Sequence, residues 1–153
     1  MNGKAIKYVE KVRYLGAYFC AYKCFKLSYC EPKASFYKSL NALYSKCKGC
    51  FDEVVMLKLI ESYCKPLLLY ASECVCAPSY DSYIKRAWDY TFWKIFHVNS
   101  NLVDSISEFT ATKCFADTIA ARRIKFRRQL SVCNNSVMHV LYDLCARVEL
   151  LTL

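Results

Sequence analysis

At 153 residues, with 56% apolar and 16% aromatic side chains, the chain is long enough for one compact domain and too apolar to be disordered. Only three glycines and three prolines punctuate it, too few for the turns of an all-β domain, so helices of moderate length are expected. The formal charge of +9 is uneven: residues 1–48 carry ten Lys/Arg against two acids, residues 49–112 five against eight, and residues 113–153 seven against three.

Two basic ends around an acidic middle point to a polyanion partner, because each cation that displaces a condensed counterion from a phosphate adds salt-sensitive affinity. Solubility alone would account for less clustering than this. No run approaches the roughly 20 apolar residues of a membrane span; the nearest is Pro66–Ala71. Tyr14–Tyr22 is too short, too rich in tyrosine and too early broken by Gly16 to be a signal peptide. The expected location is intracellular, in nucleus or cytoplasm. Eleven cysteines, an odd number with no export signal, suggest reduced thiols. Among them Cys64, Cys114 and Cys145 sit among apolar neighbours and read as small buried hydrophobes.

In chain order, residues 6–19 are β-branched and aromatic with partial alternation, and predict one or two short strands exposed on one face, with Gly16 allowing a bulge. Two strands do not make a stable sheet alone, so this segment calls for partners elsewhere. A loop is expected through Cys30. The first helix starts at Glu31-Pro32, carries Phe36, Leu40, Leu43, Tyr44 and Cys47 on one face and Lys38, Asn41, Ser45 and Lys48 on the other, and ends at Gly49. Asp52 can cap a second helix through Tyr63 or Cys64, with Glu53 suited to its dipole and Pro66 interrupting it.

A third helix, capped by Ser79 or Ser82, carries the cleanest stripe: Ile84, Ala87, Trp88, Thr91, Phe92, Ile95 and Phe96. Residues 97–113 read as irregular with a short helical turn. A fourth helix runs from Phe115 to Leu130 with Ile119, Phe126 and Leu130 inward, and Asn134-Asn135-Ser136 breaks it before a fifth that buries Val137, Leu141, Leu144, Cys145 and Val148. The expected fold is mainly α: a short N-terminal β hairpin and loop over residues 1–30, then a five-helix bundle over residues 31–153. The apolar terminus Val148–Leu153 suggests a segment that docks elsewhere or was cut.

Lys11-Val12-Arg13-Tyr14-Leu15-Gly16 resembles the Lys-Tyr-Leu-Gly block that follows the palm of non-LTR (LINE-type) retrotransposon reverse transcriptases. Ser35–Lys38 and Asn41–Lys46 resemble the first thumb helix of that family. Leu59–Glu73 is similar to its helix ending Cys-x-Pro-x-Leu-Leu-Tyr-Gly-x-Glu, with Ala71 where glycine is usual. The aromatic helix around Trp88–Phe96 and the Ala120-Ala121-Arg122-Arg123 run also occur at comparable places, so the resemblance spans residues 6–130.

The resemblance implies the end of the palm hairpin plus a thumb that clamps the template–primer (RNA/DNA) duplex against the palm and fingers of a parent polymerase. That polymerase would use magnesium held by palm aspartates, including an aromatic-Ala-Asp-Asp turn. No Asp-Asp pair occurs here, so no catalytic residue, no cofactor and no polymerisation by this chain alone are expected.

The candidate nucleic-acid contacts are Lys11, Arg13, Tyr14 and Gly16 on the hairpin, Lys38, Lys46 and Lys48 on the first helix, and Arg122, Arg123, Lys125 and Arg127 on the fourth. The arginine cluster, with Arg128, spreads widely round its helix, so pairing with the acidic middle of the chain is the competing reading. A helical protein-interaction module without a nucleic-acid role is the alternative for the whole chain. Asp81 and Asp89 read as solvent-facing. Trp88 falls in the core stripe, whereas Tyr90 and Trp93 fall outside it and are open to nucleic-acid or palm contact. Cys47-x-x-Cys50, Cys74-x-Cys76 and Cys20-x-x-x-Cys24 are poor zinc sites, the second by its spacing and the first because Cys47 lies on an apolar helix face. His97 and His139 read as capping or surface residues.

Overall fold

The computed structural model describes residues 8–14, 17–21, 26–50, 52–74, 78–136, 138–140 and 142–143. Three strands open the fold: β1 (Lys11–Tyr14), β2 (Ala17–Cys20) and β3 (Lys26–Ser28). They form an antiparallel sheet in the order β1-β2-β3, pairing Val12 with Phe19 and Phe19 with Leu27. The hairpin is as expected, but the loop read through Cys30 contains a third strand, which gives β2 a partner on each side. Its three residues are too short a run for alternation to reveal.

The sheet is open, and β1 is an edge strand with all four residues exposed. Opposed residues share a face, so Lys11, Arg13 and Tyr18 lie on one side and Val12, Tyr14 and Phe19 on the other. The cationic side turns toward the helices: Lys11 pairs with Glu31, and Arg13 and Tyr18 line a cleft of about 390 Å³ with Glu31, Pro32, Pro66 and Tyr70. The apolar side faces outward, leaving Tyr14 64% exposed.

Among the described residues, six α-helices with defined bounds follow: α1 (Cys30–Cys47), α2 (Glu53–Tyr63), α3 (Lys65–Leu69), α4 (Pro78–Phe96), α5 (Val103–Phe109) and α6 (Phe115–Val132). Helix α1 begins two residues ahead of Pro32, which therefore sits in the first turn, where a missing N–H leaves no bond unmade. It ends where expected, with Gly49 beyond the Lys48 cap at φ +82°, a conformation that costs glycine nothing. Asp52 stands at the N-cap of α2, but its carboxylate makes no capping hydrogen bond; its carbonyl accepts the first intrahelical bond, from the Met56 N–H at 2.9 Å. Pro66 separates α3 from α2. Helix α4 starts at Pro78, so Ser79 and Ser82 lie inside it rather than capping it. The irregular 97–113 stretch holds a 3-10 turn (Ser100–Leu102) and the short α5. Of the expected fifth bundle helix, residues 137, 141, 144, 145 and 148 lie outside the described residues.

The core is built by the faces the periodicity marked. Phe36, Leu40 and Cys47 of α1 meet Met56, Leu57 and Ile60 of α2, Leu68 and Leu69 of α3, Ile84, Ala87, Trp88, Phe92 and Ile95 of α4, and Phe115 and Ile119 of α6. Trp88 is the hub: its ring stacks on Phe115 at 5.9 Å and meets Phe92 edge-on at 5.9 Å. Cys64 is buried as read, and burial pushes its thiol pKa up, so it stays a protonated apolar filler at neutral pH. Cys114 is not buried: it stands exposed at the N-cap of α6, its carbonyl accepting from the Thr118 hydroxyl at 2.8 Å. Cys145 lies outside the described residues. Among the described residues, no helix is long and apolar enough to cross a membrane.

Candidate nucleic-acid interface

Helix α1 carries Lys33, Lys38, Lys46 and Lys48 and no acid between Pro32 and Lys48. Its apolar stripe docks into the core, which turns Ala34, Ser35, Lys38, Asn41, Ala42, Ser45 and Lys46 outward, with Lys48 exposed at the cap. Among the described residues, Lys38, Lys46 and Lys48 make no ion pair. Regular backbone hydrogen bonding over 18 residues holds these cations at fixed spacing.

The arginines of α6 are used differently. The Arg123 guanidinium grips Asp81 with two parallel bonds, each 2.8 Å, and its Nε lies 3.4 Å from the Ser72 carbonyl. Arg122 donates to Glu73 at 3.0 Å. Burial alone would raise the Glu73 carboxyl; the Arg122 guanidinium, backbone hydrogen bonding and the Ser72 hydroxyl outweigh it and hold the group below its ordinary range. Both arginines thus tie α6 to the acidic middle of the chain, so Asp81 is a structural partner rather than a solvent-facing acid. Asp89 is likewise paired, accepting from Lys85 at 2.9 Å. Lys125 and Arg128 are exposed on α6 and Arg127 is half-buried.

On the hairpin, Lys11 is drawn to Glu31 and stands 4.9 Å from the centre of the Tyr18 ring, with Arg13 at 5.6 Å from the same ring. Tyr14 is exposed on the opposite face. Gly16 lies outside the described residues. The structure therefore keeps the three α1 lysines together on one helix, and draws Lys11, Arg122 and Arg123 into intrachain pairs.

The segment Cys64–Glu73 works as one device. Leu68 and Leu69 are buried, the chain turns at Ala71 with φ +58°, and Ser72 is sealed in with its hydroxyl donating to the Leu69 carbonyl at 2.8 Å. That turn delivers Glu73 to Arg122. A left-handed residue at position 71 is the reason glycine suits it better than alanine. Lys65, only 5% exposed, was not marked by the sequence. It donates to Glu61 at 3.0 Å and to the Lys113 carbonyl at 3.4 Å, and faces the Trp88 ring at 4.9 Å. Glu61 also receives Lys58 at 3.4 Å, and Lys58 reaches the Ala111 carbonyl at 3.2 Å, locking α2 to the turn after α5.

On the outer side of α1 and α4 lies a row of rings. Tyr37 meets Tyr90 edge-on at 5.4 Å, Tyr90 stacks on Trp93 at 5.3 Å, and Trp93 meets His97 at 6.4 Å. Lys33 stands 5.8 Å over Tyr37 and Lys94 5.8 Å over Tyr90. His97 is exposed just beyond α4, its N–H donating to the Trp93 carbonyl at 3.0 Å.

The described residues do not build a divalent-metal site of the polymerase kind. No group of three or more His, Cys, Asp or Glu comes together among them, and Glu31, Glu61, Glu73, Asp81 and Asp89 each face a cation instead. Comparison of the chain with protein-family models, with curated proteins and with solved structures gave no match.

Proposed function

We propose that this chain is a nucleic-acid clamp: a thumb-like module of a non-LTR reverse transcriptase that binds template–primer duplex and has no polymerase activity alone. The observation that carries this reading is the outer face of α1, where Lys38, Lys46 and Lys48 make no ion pair among the described residues and no acid occurs between Pro32 and Lys48 to compete with phosphate. The Cys64–Glu73 turn adds support. Within the block that resembles the family's, Cys64, Leu68 and Leu69 are buried, Glu73 meets Arg122, and Ala71 is left-handed where the family places glycine. Such a module would work in the nucleus or cytoplasm beside a palm that supplies the metal-binding aspartates.

A helical protein-interaction module is the second reading, favoured by the outward apolar face of the sheet at Val12 and Tyr14. In the clamp reading, an adjoining palm sheet covers that face and pairs with the outer edge of β1.

Fluorescence anisotropy with an RNA/DNA duplex at two salt concentrations separates the two. The clamp binds with steep salt dependence, and replacing Lys38, Lys46 and Lys48 by glutamate flattens the slope by about one per lysine that meets a phosphate. Absent or salt-insensitive binding refutes the clamp, and nucleotide incorporation by the chain alone refutes its inertness.

A further inference from the structure

We infer that the ring row on the outer side of α1 and α4 is a stacking platform for unpaired nucleobases, centred on Trp93. The inference deepens the clamp reading by giving the same nucleic acid a single-stranded contact next to its duplex one.

Three features of the row fit an unpaired strand. Trp93 is 50% exposed although its ring is already held by Tyr90 on one side, with the planes 26° apart, and by His97 at the other end. A large indole fixed in place but half open offers a π-surface at little cost in side-chain freedom. The row is also edged by cations, Lys33 at one end and Lys94 in the middle, as a strand of bases on a phosphate backbone requires. Finally, Lys94 donates to Asn41 of α1 at 2.8 Å, so the row is continuous with the lysine face proposed to hold the duplex. Tyr90, Trp93 and Lys94 recur at helical spacing on α4, opposite the stripe that buries Trp88, and His97 follows just beyond its end. Tyr37 and Tyr90 pack against the edge of the core, whereas Trp93 stands outside it and presents its ring to solvent.

Base stacking differs from phosphate contact in tolerating salt, and this separates the two parts experimentally. The probes are a blunt RNA/DNA duplex, the same duplex with a short single-stranded overhang, and the single strand alone. The overhang should tighten binding roughly 5- to 100-fold per stacked base, an increment that persists at high salt. It should vanish in Trp93→Ala, return in Trp93→Phe, and leave blunt-duplex affinity unchanged in both. The unmodified protein gives a second readout: Trp93 fluorescence is quenched by a stacked base while the buried Trp88 is not.

An overhang that adds nothing, an increment that survives Trp93→Ala, or the absence of quenching overturns the platform and leaves the duplex clamp standing. Single-strand binding that depends on Trp93 without duplex binding does the reverse, supporting the platform and removing the clamp. Binding to none of the three probes removes both.

Discussion

Along α1, Lys38, Lys46 and Lys48 are exposed on a stretch with no acid between Pro32 and Lys48, whereas on α6 Arg122 and Arg123 reach back 49 and 42 residues to Glu73 and Asp81. Both segments are basic, yet among the described residues the α1 lysines make no ion pair while Arg122 and Arg123 hold the chain together. Residue type follows use. The planar guanidinium of Arg123 suits a bidentate grip on a carboxylate, and the flexible, hydrated ammonium of a lysine suits an exposed point charge. Basic clusters are therefore poor guides to a binding surface until the acids within reach have been located.

The comparison predicts that α6 substitutions act on stability. Arg123→Ala should have the largest effect, lowering unfolding free energy by about 2–3 kcal/mol, because it removes charge-assisted bonds and leaves Asp81 unpaired. Urea unfolding measures it, and Asp81→Ala combined with Arg123→Ala should cost less than the two single changes summed. Loss of duplex affinity in Arg123→Ala at an unchanged urea midpoint would break the contrast.

Next in size is Ala71→Gly, expected to stabilise by up to about 1 kcal/mol. A left-handed alanine costs roughly 1–2 kcal/mol, and the added glycine entropy in the unfolded chain takes back less than that. A lower thermal midpoint in Ala71→Gly would mean that the turn delivering Glu73 is held by something other than its backbone.

A smaller effect belongs to pH. The Glu73 carboxyl titrates below its ordinary value of 4.5 when folded, so its contribution is fully present above that value and is lost as pH falls through the lower folded one. Glu73→Gln should flatten the acid limb of the stability curve below about pH 4.5 and leave its slope near neutrality unchanged. An identical acid limb in both proteins would show the Arg122 pair to be energetically silent.

Much of this division was legible in the sequence, and what was not has a common cause. Local periodicity identified the buried faces of α1 and α4 and the glycine stop after α1, because each depends on residues within a few turns. The same periodicity separated Trp88 from Tyr90 and Trp93. It could not show β3, whose three residues carry no pattern and gain meaning only from pairing with β2. Nor could it show that Arg123 would meet Asp81, or that Lys65 would be buried under Trp88, since both follow from how α6, α3 and α4 pack. The i,i+4 spacings of Lys85 with Asp89 and of Glu61 with Lys65 were readable in principle, and mark two acids whose pairing could have been foreseen. Cys114 misled because the apolar Phe115 and Ala116 follow it, while its own place at a helix start is exposed.

The smallest stability effect is also the sharpest test of the contrast. Replacing Lys38, Lys46 and Lys48 together by glutamine removes three charges from a surface where none has a partner among the described residues. Glutamine has nearly the helix propensity of lysine, so the unfolding free energy should change by less than about 0.5 kcal/mol. If the lysines are held for a polyanion, the same variant loses most of its duplex affinity and its salt slope while melting like the parent. A variant that unfolds markedly earlier would mean these cations already serve the fold, as the arginines of α6 do. The two basic segments would then differ only in where their partners lie, and the outer face of α1 would lose its claim to be an interface.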